Sequence, residues 1–305
     1  MMTATPVHQR RRSAGAGIRR GYPALGFLLP SLVILGIVVL VPLLYVVYLS
    51  FTDYSFIAPT QSRFVGVRNY IDALWQRDFR NSLWVTTVFT AVTVGLETIL
   101  GLIVALALRT RQRYSRAFFS VYLMPTIITP ISTGLVWAYI LHPTLGVFNY
   151  VLGLLGAPTR AWLGEGGTAL LSVCLVDVWE WTPLVALMLY AGLVSLPQEP
   201  MEAAHVDGAT RWQVFRYVTM PLIKPVALGA VLIRTLDALK TFDIVYVLTS
   251  GGPSNRTELL SFHIYRHGFL YARFSYATAV SVLLLVGILV FTSILARMTM
   301  NEEKA

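Results

Sequence analysis

Long apolar runs separated by short polar segments dominate this chain. At about 20 apolar residues per bilayer crossing, the pattern predicts six spans, at about 27–50, 83–108, 117–141, 168–193, 223–249 and 272–296. The expected fold class is therefore all-α, a polytopic membrane protein with six transmembrane helices. The fifth run is the weakest by hydropathy, because Arg234, Asp237, Lys240 and Asp243 all fall within it. Its crossing decides parity: without it, the two ends of the chain would lie on opposite sides.

Between the fourth and fifth runs lies a polar island, Ser195 to Pro225, with the sequence SLPQEPMEAAHVDGATRWQVFRYVTMPLIKP. Ser195 with Gln198, and Thr210 with Gln213, have the spacing at which a hydroxyl caps a helix while an amide side chain reaches back. Asp207-Gly208 is a natural break between them, since Gly accepts the left-handed conformation that ends a helix. The pattern predicts two short helices joined at a Gly turn, then Pro221 and Pro225 ahead of the next span. A solvated element tethered to the membrane at both ends can pass a push from a soluble partner into the spans.

Composition agrees with a membrane protein. Only 13% of the 305 residues are charged, against roughly 25% in ordinary soluble domains, and the mean hydropathy is +0.65. The formal charge of +9 sits in the segments between apolar runs, where it reads as a topology signal and not as a nucleic-acid surface. With the N-terminal tail inside, the inner segments hold 14 Lys and Arg against 8 in the outer loops. The densest block is Arg109, Arg111, Arg113 and Arg116, while Arg63, Arg68, Arg77 and Arg80 crowd one outer loop. The bias places both ends and the island in the cytoplasm.

The expected organisation is a basic cytoplasmic tail over 1–26 (Arg10, Arg11, Arg12, Arg19 and Arg20), a six-span membrane domain over 27–297 that includes the cytoplasmic loop 195–225, and a short cytoplasmic tail over 298–305. The run from about Phe27 to Phe51 exceeds the 7 to 15 apolar residues of a signal peptide, so it counts as a span. Outer loops carry turn signals and aromatics and are too short for separate domains. Cys174 is the single cysteine, which rules out an internal disulfide and argues against redox chemistry and a zinc site.

Ionisable groups inside spans are costly and mark function by default. Asp177 and Glu180 lie near mid-depth of the fourth run, and Arg234 lies at a similar depth of about 16 Å in the fifth, counting 1.5 Å per residue. A pair between Arg234 and either acid is geometrically allowed. Arg234, Asp237, Lys240 and Asp243 follow at steps of three and sweep half the helix circumference, so some are expected as internal pairs and others along a polar path. Trp179 and Trp181 flank Glu180; aromatic faces beside a carboxylate suit a sugar, although packing accounts for them as well. Glu97 is a lone acid in the second run, open to either a functional or a packing role. The candidate substrate path is thus Asp177, Trp179, Glu180, Trp181, Arg234, Asp237, Lys240 and Asp243.

Several chemistries find no support. A phosphate-binding loop needs a Gly-rich stretch ending in Lys and a hydroxyl residue, and none of Lys224, Lys240 or Lys304 follows one. His263 and His267 are four apart, but Ile264 stands where a zinc-protease helix carries Glu. No nucleophile with an adjacent base stands out, so an intramembrane enzyme is not expected.

Glu202-Ala203-Ala204, Asp207-Gly208-Ala209 and Pro221-Leu222-Ile223-Lys224-Pro225 resemble the EAA loop of permease subunits in bacterial ATP-binding-cassette importers. Leu29-Pro30-Ser31, Pro42 and Ser50-Phe51-Thr52-Asp53-Tyr54 resemble the first span of the carbohydrate-uptake branch, the maltose-type and glycerol-phosphate-type permeases. Phe64, Gly66, Asn69 and Tyr70 resemble its first outer loop. Trp179, Thr182-Pro183 and Ala191-Gly192-Leu193 resemble its fourth span, and Phe242-Asp243, Leu248-Thr249 and Gly251-Gly252-Pro253 the end of its fifth.

The resemblance implies a non-catalytic subunit of the bacterial inner membrane that imports a sugar or sugar-like solute. It implies a separate ATPase dimer that binds the ATP and Mg, a second homologous permease subunit, and an extracytoplasmic solute-binding protein. It also implies that Glu202, Ala203, Ala204, Asp207 and Gly208 dock on the ATPase, with Glu202 the polar contact and Gly208 the turn. Pro200, just before Met201, departs from the pattern and is expected to shorten the first short helix. The competing reading is a proton-coupled secondary carrier that uses the intramembrane acids.

Overall fold

The computed structural model describes residues 23–57, 60, 62–109 and 112–302. Most of the tail predicted over 1–26, together with Arg111 and Lys304, lies outside the described residues. The chain divides into two units, Met1–Tyr45 and Val46–Ala305. The helices in order are α1 (Pro23–Ser50), α2 (Arg68–Trp75), α3 (Arg77–Arg109), α4 (Gln112–Tyr122), α5 (Met124–Ile127), α6 (Pro130–Ile140) and α7 (Val147–Leu154). They continue with α8 (Ala169–Ser195), α9 (Glu199–Val206), α10 (Arg211–Val214), α11 (Met220–Ala238), α12 (Asp243–Leu248), α13 (Leu260–Tyr265) and α14 (Phe274–Glu302). The β structure among the described residues is one isolated antiparallel bridge, Thr52 to Phe64.

Among the described residues, five helical stretches are long and apolar enough to cross a membrane: Leu28–Ser50, Arg77–Arg109, Ala169–Ser195, Arg211–Ala238 and Phe274–Ile294. This corrects the predicted boundaries of the third and fifth spans. The run at 117–141 is no single helix but α4, α5 and α6 in sequence, broken where Pro125 and Pro130 open new helices. Proline has no N–H for the preceding turn and disfavours helical backbone in the residue before it. The fifth helix starts earlier and ends earlier than 223–249. It runs from Arg211 through a π-helical turn, Phe215–Thr219, into α11 and stops at Ala238. Pro221 and Pro225 therefore sit inside the helix and not ahead of it. The wide turn lies immediately before the first of them, where a regular bonding pattern would lack donors.

In the larger unit, α3, α8 and α11 pack closely because small residues stand at the contacts. A Cβ on Gly101 would lie 3.0 Å from the Ala186 backbone nitrogen, and one on Gly192 2.7 Å from Val226 Cγ1. The surrounding core buries Phe89, Val173, Leu189, Leu193, Ile223 and Ile244. Asn69 explains the turn signals that precede α2: its side-chain amide donates to the Ser50 and Thr52 carbonyls at 2.9 and 2.7 Å, clamping the chain as it leaves α1.

Candidate functional site: a surface helix-turn element and a buried ion-pair centre

The island folds as one short helix, α9, followed by the predicted Gly turn; the second short helix expected from Thr210 is not separate, because α10 runs on through the π-helical turn into α11. Gln198 stands at the N-cap of α9 without a side-chain cap bond; the Ser195 hydroxyl turns back to donate to the Gly192 carbonyl at 2.9 Å, so it does not cap. Pro200 sits at the start of α9, where its missing donor is one of the helix's free N–H groups anyway, and the expected shortening does not follow. α9 ends at Asp207, and Gly208 takes φ +79°, a left-handed conformation that a Cβ disfavours. The Thr210–Gln213 capping box is present in full.

The element has an anchored face and a free face. Met201 is buried and touches the Arg109 guanidinium, fixing α9 against the end of α3. Glu202, Ala203, Asp207 and Gly208 are exposed, and Ala204 is half-buried. Val206, Trp212 and Tyr217 add exposed apolar surface beside them, at 87%, 68% and 73% exposure. For a solvated loop this is a large unpartnered apolar surface, of the kind that marks an interaction site.

In the interior, α3, α8 and α11 meet at Arg234. Its Nε donates to Glu97 Oε2 at 2.5 Å, and its Nη2 donates to Glu97 Oε1 at 3.0 Å and to Asp177 Oδ2 at 2.5 Å. All three side chains are buried. The Trp181 ring lies under the guanidinium, 5.1 Å from centroid to Cζ, a cation–π contact that desolvation strengthens. Glu97 is thus not a lone acid but the bidentate partner of Arg234. Sequence alone missed this because the two residues are 137 positions apart and nothing local registers their approach.

Glu180 does not reach Arg234. Its Oε1 accepts from Thr133 Oγ1 of α6 at 3.3 Å, while Thr126 Oγ1 of α5 donates to its backbone carbonyl at 2.8 Å. Trp179 faces outward, 40% exposed, with its ring edge-on to Trp137 at 5.5 Å. The two tryptophans therefore do not bracket Glu180 in one wall, since neighbours on a helix point about 100° apart. Asp237 and Lys240 form an ion pair at 3.3 Å with side chains 43% and 62% exposed. With half-buried Asp243 at the start of α12, they gather where α11 breaks off. The structure thus joins Glu97, Asp177 and Arg234 in one buried centre and sets Asp237, Lys240 and Asp243 apart, at an accessible helix break.

A second buried polar cluster surrounds His263 and His267. His263 Nδ1 lies 2.7 Å from Glu258 Oε1 and its Nε2 3.2 Å from the Tyr276 hydroxyl, while Arg266 pairs with Glu258 from the other side. The two imidazoles pack 4.2 Å apart. Burial, helped by His263, Arg273 and Arg266, holds the His267 imidazole down to about 3 from its ordinary 6.5. Among the described residues, no group of three or more His, Cys, Asp or Glu is arranged to hold a metal ion.

Comparison with known proteins agrees with this architecture. Residues 97–299 match the family described as binding-protein-dependent transport system inner membrane component. Over 274 residues the chain is 38% identical to the trehalose/maltose transport system permease protein MalF of Thermococcus litoralis, covering 88% of this chain and 91% of that protein. It is 30% identical to the sulfoquinovosyl glycerol transport system permease protein SmoG of Agrobacterium fabrum, covering 90% of each. Its fold is similar to a chain in the crystal structure of a bacterial ABC transporter involved in the import of the acidic polysaccharide alginate, with a TM-score of 0.79, 22% identity and coverage of 93% and 97%. The chain therefore belongs to the family of binding-protein-dependent transport system inner membrane components.

Proposed function

We infer that the chain is the transmembrane permease subunit of an ATP-driven importer and forms half of the translocation path for a sugar or sugar-like solute. Membership of a binding-protein-dependent transport family carries the first part, and the sugar-transport names of its relatives support the second. That membership also sets aside the proton-coupled secondary carrier.

The coupling step follows from how the island is built. α9 and α10 hang between α8 and the helix that becomes α11, and they present Glu202, Ala203, Ala204, Asp207 and Gly208 on a free face. An ATPase dimer that binds the ATP and Mg docks on this face from the cytoplasm. When it closes, displacement of α9 passes directly into α8 and α11, because no flexible linker intervenes after Thr210. Those two helices are also tied together deep inside by Asp177 and Arg234, so they move as a unit. A second permease subunit completes the path, and an extracytoplasmic binding protein delivers the solute.

Within this reading the segment α4–α6 makes a sixth, broken crossing. Both termini are cytoplasmic, and the chain is a multi-pass protein of the bacterial inner membrane. The solute passes the break after α11. Interrupted helices place backbone dipoles and polar groups at mid-membrane, and Asp237, Lys240 and Asp243 cluster there with access to solvent, while Asp177 and Arg234 brace the wall behind. Coexpression with the ATPase tests the coupling face: Glu202→Arg and Gly208→Pro each abolish copurification of the ATPase while the permease stays folded. Intact association and transport in both variants refute it.

A further inference from the structure

The buried centre carries more negative charge than its one cation balances. Glu97, Asp177 and Glu180 are each 0% exposed, and among the described residues Arg234, at 2%, is the single base buried with them. The Nε and Nη2 donors of the guanidinium are taken by the bidentate fork on Glu97 and the bond to Asp177 Oδ2, and neither bonds Glu180. The charges at the margin do not close the deficit: Asp237 and Lys240 neutralise each other, and half-buried Asp243 at the start of α12 is a further acid. Two buried carboxyl oxygens, Asp177 Oδ1 and Glu180 Oε2, have no hydrogen-bond partner. An isolated carboxylate without a partner in a low-dielectric interior is far costlier than an unpaired neutral group.

The two acids are not equivalent. Asp177 accepts a short charge-assisted bond from Arg234, as an ionised group does, whereas Glu180 receives only the Thr133 hydroxyl at 3.3 Å.

We propose that Glu180 is a proton-binding site in the membrane interior, held as the neutral acid in this conformation, with the proton on Oε2 and the Thr133 hydroxyl donating to Oε1. The proton comes from solvent and need not move with the solute, so the site demands no proton-driven transport. It makes Glu180 a hydrogen-bond donor as well as an acceptor on the wall of α8. It also leaves two charged acids, Glu97 and Asp177, in place of three beside the one arginine.

Infrared difference spectroscopy on the assembled transporter in lipid nanodiscs tests the assignment at neutral pH. The wild-type minus Glu180→Gln spectrum should show loss of one protonated-carboxyl C=O band per permease chain, shifting in D2O, with no loss of carboxylate bands. Asp177→Asn should instead remove a carboxylate band, and Thr133→Val should shift the Glu180 band without removing it. A carboxylate loss in Glu180→Gln, or loss of the protonated band in Asp177→Asn, overturns the proposal. If Glu180→Gln does not assemble, Thr133→Val decides, because Thr133 touches the Glu180 carboxyl and not Glu97 or Asp177: a shifted protonated-carboxyl band upholds the site, and an unshifted band or none overturns it.

Discussion

Arg234 Nη2 lies 2.5 Å from Asp177 Oδ2, so one buried ion pair joins the helices on either side of the surface element. Glu97 of α3 closes the same guanidinium from a third helix. Removing one member of a buried pair leaves its partners charged and unpaired, which costs about 3–5 kcal/mol, whereas removing all members together is close to neutral. Arg234→Met is therefore expected to destabilise the subunit by that amount, and combining it with Glu97→Gln and Asp177→Asn should restore most of the loss. Thermal unfolding of the detergent-solubilised protein distinguishes the two; a triple variant no more stable than Arg234→Met would show that the centre acts through something other than charge pairing.

The Gly208 turn can be tested apart from any contact. Its φ is +79° and nothing stands within 4 Å of where a Cβ would lie, so Gly208→Ala pays only the left-handed penalty, about 1–2 kcal/mol. Gly208→Asn should cost less, since Asn tolerates that region. The expected outcome is graded: solute-stimulated ATP hydrolysis by the complex falls most in the Ala variant and least in the Asn variant, with global unfolding barely changed. Equal activity in both would mean that the turn's conformation does not govern coupling.

Close packing of α8 against α11 makes a paired prediction. A methyl on Gly192 would meet Val226 Cγ1 at 2.7 Å, and overpacking of this kind costs about 1–3 kcal/mol. Gly192→Ala should lose that stability, and adding Val226→Ala should recover part of it by opening space. At Gly101 the obstacle is the backbone nitrogen of Ala186 at 3.0 Å, along with Val185. There, shortening Val185 alone should rescue Gly101→Ala poorly. Thermal unfolding of the four variants separates side-chain crowding from backbone contact.

What could be read in the sequence depended on whether the signal was local. The Thr210–Gln213 box and the Asp207-Gly208 break are short-range patterns, and the structure forms both. The Asp237–Lys240 pair is also local, three residues apart. Helix continuity was legible only in part: Pro125 and Pro130 interrupt the third run, whereas Pro221 and Pro225 are absorbed into the fifth helix through a π turn. Hydropathy does not distinguish these cases, because the outcome rests on whether neighbouring groups satisfy the freed carbonyls. The partner of Glu97 was invisible for a related reason. Its depth marked it as unusual, but only tertiary packing brings α3 and α11 together. Ser195 carried the capping spacing and yet donates backwards to Gly192, since a hydroxyl near a helix end has carbonyls as well as N–H groups within reach.

His267 gives a dependence on pH whose sign is fixed by its surroundings. It is 6% exposed, packed between His263 and Tyr276, with Nδ1 unpartnered, and its imidazole is held down to about 3. A base whose folded value lies below its unfolded value of about 6.5 favours the folded state in its neutral form. The contribution is complete above about pH 6.5 and is lost progressively as pH falls toward 3. At pH 5 the loss from this residue is about 2 kcal/mol, at 1.36 kcal/mol per pH unit. His267→Phe keeps a ring between His263 and Tyr276 and removes the titration. Its unfolding temperature should therefore fall less between pH 7.5 and pH 5 than that of the wild type. Parallel pH profiles for the two proteins would show that His267 does not become protonated on unfolding, and that acid sensitivity arises elsewhere in the chain.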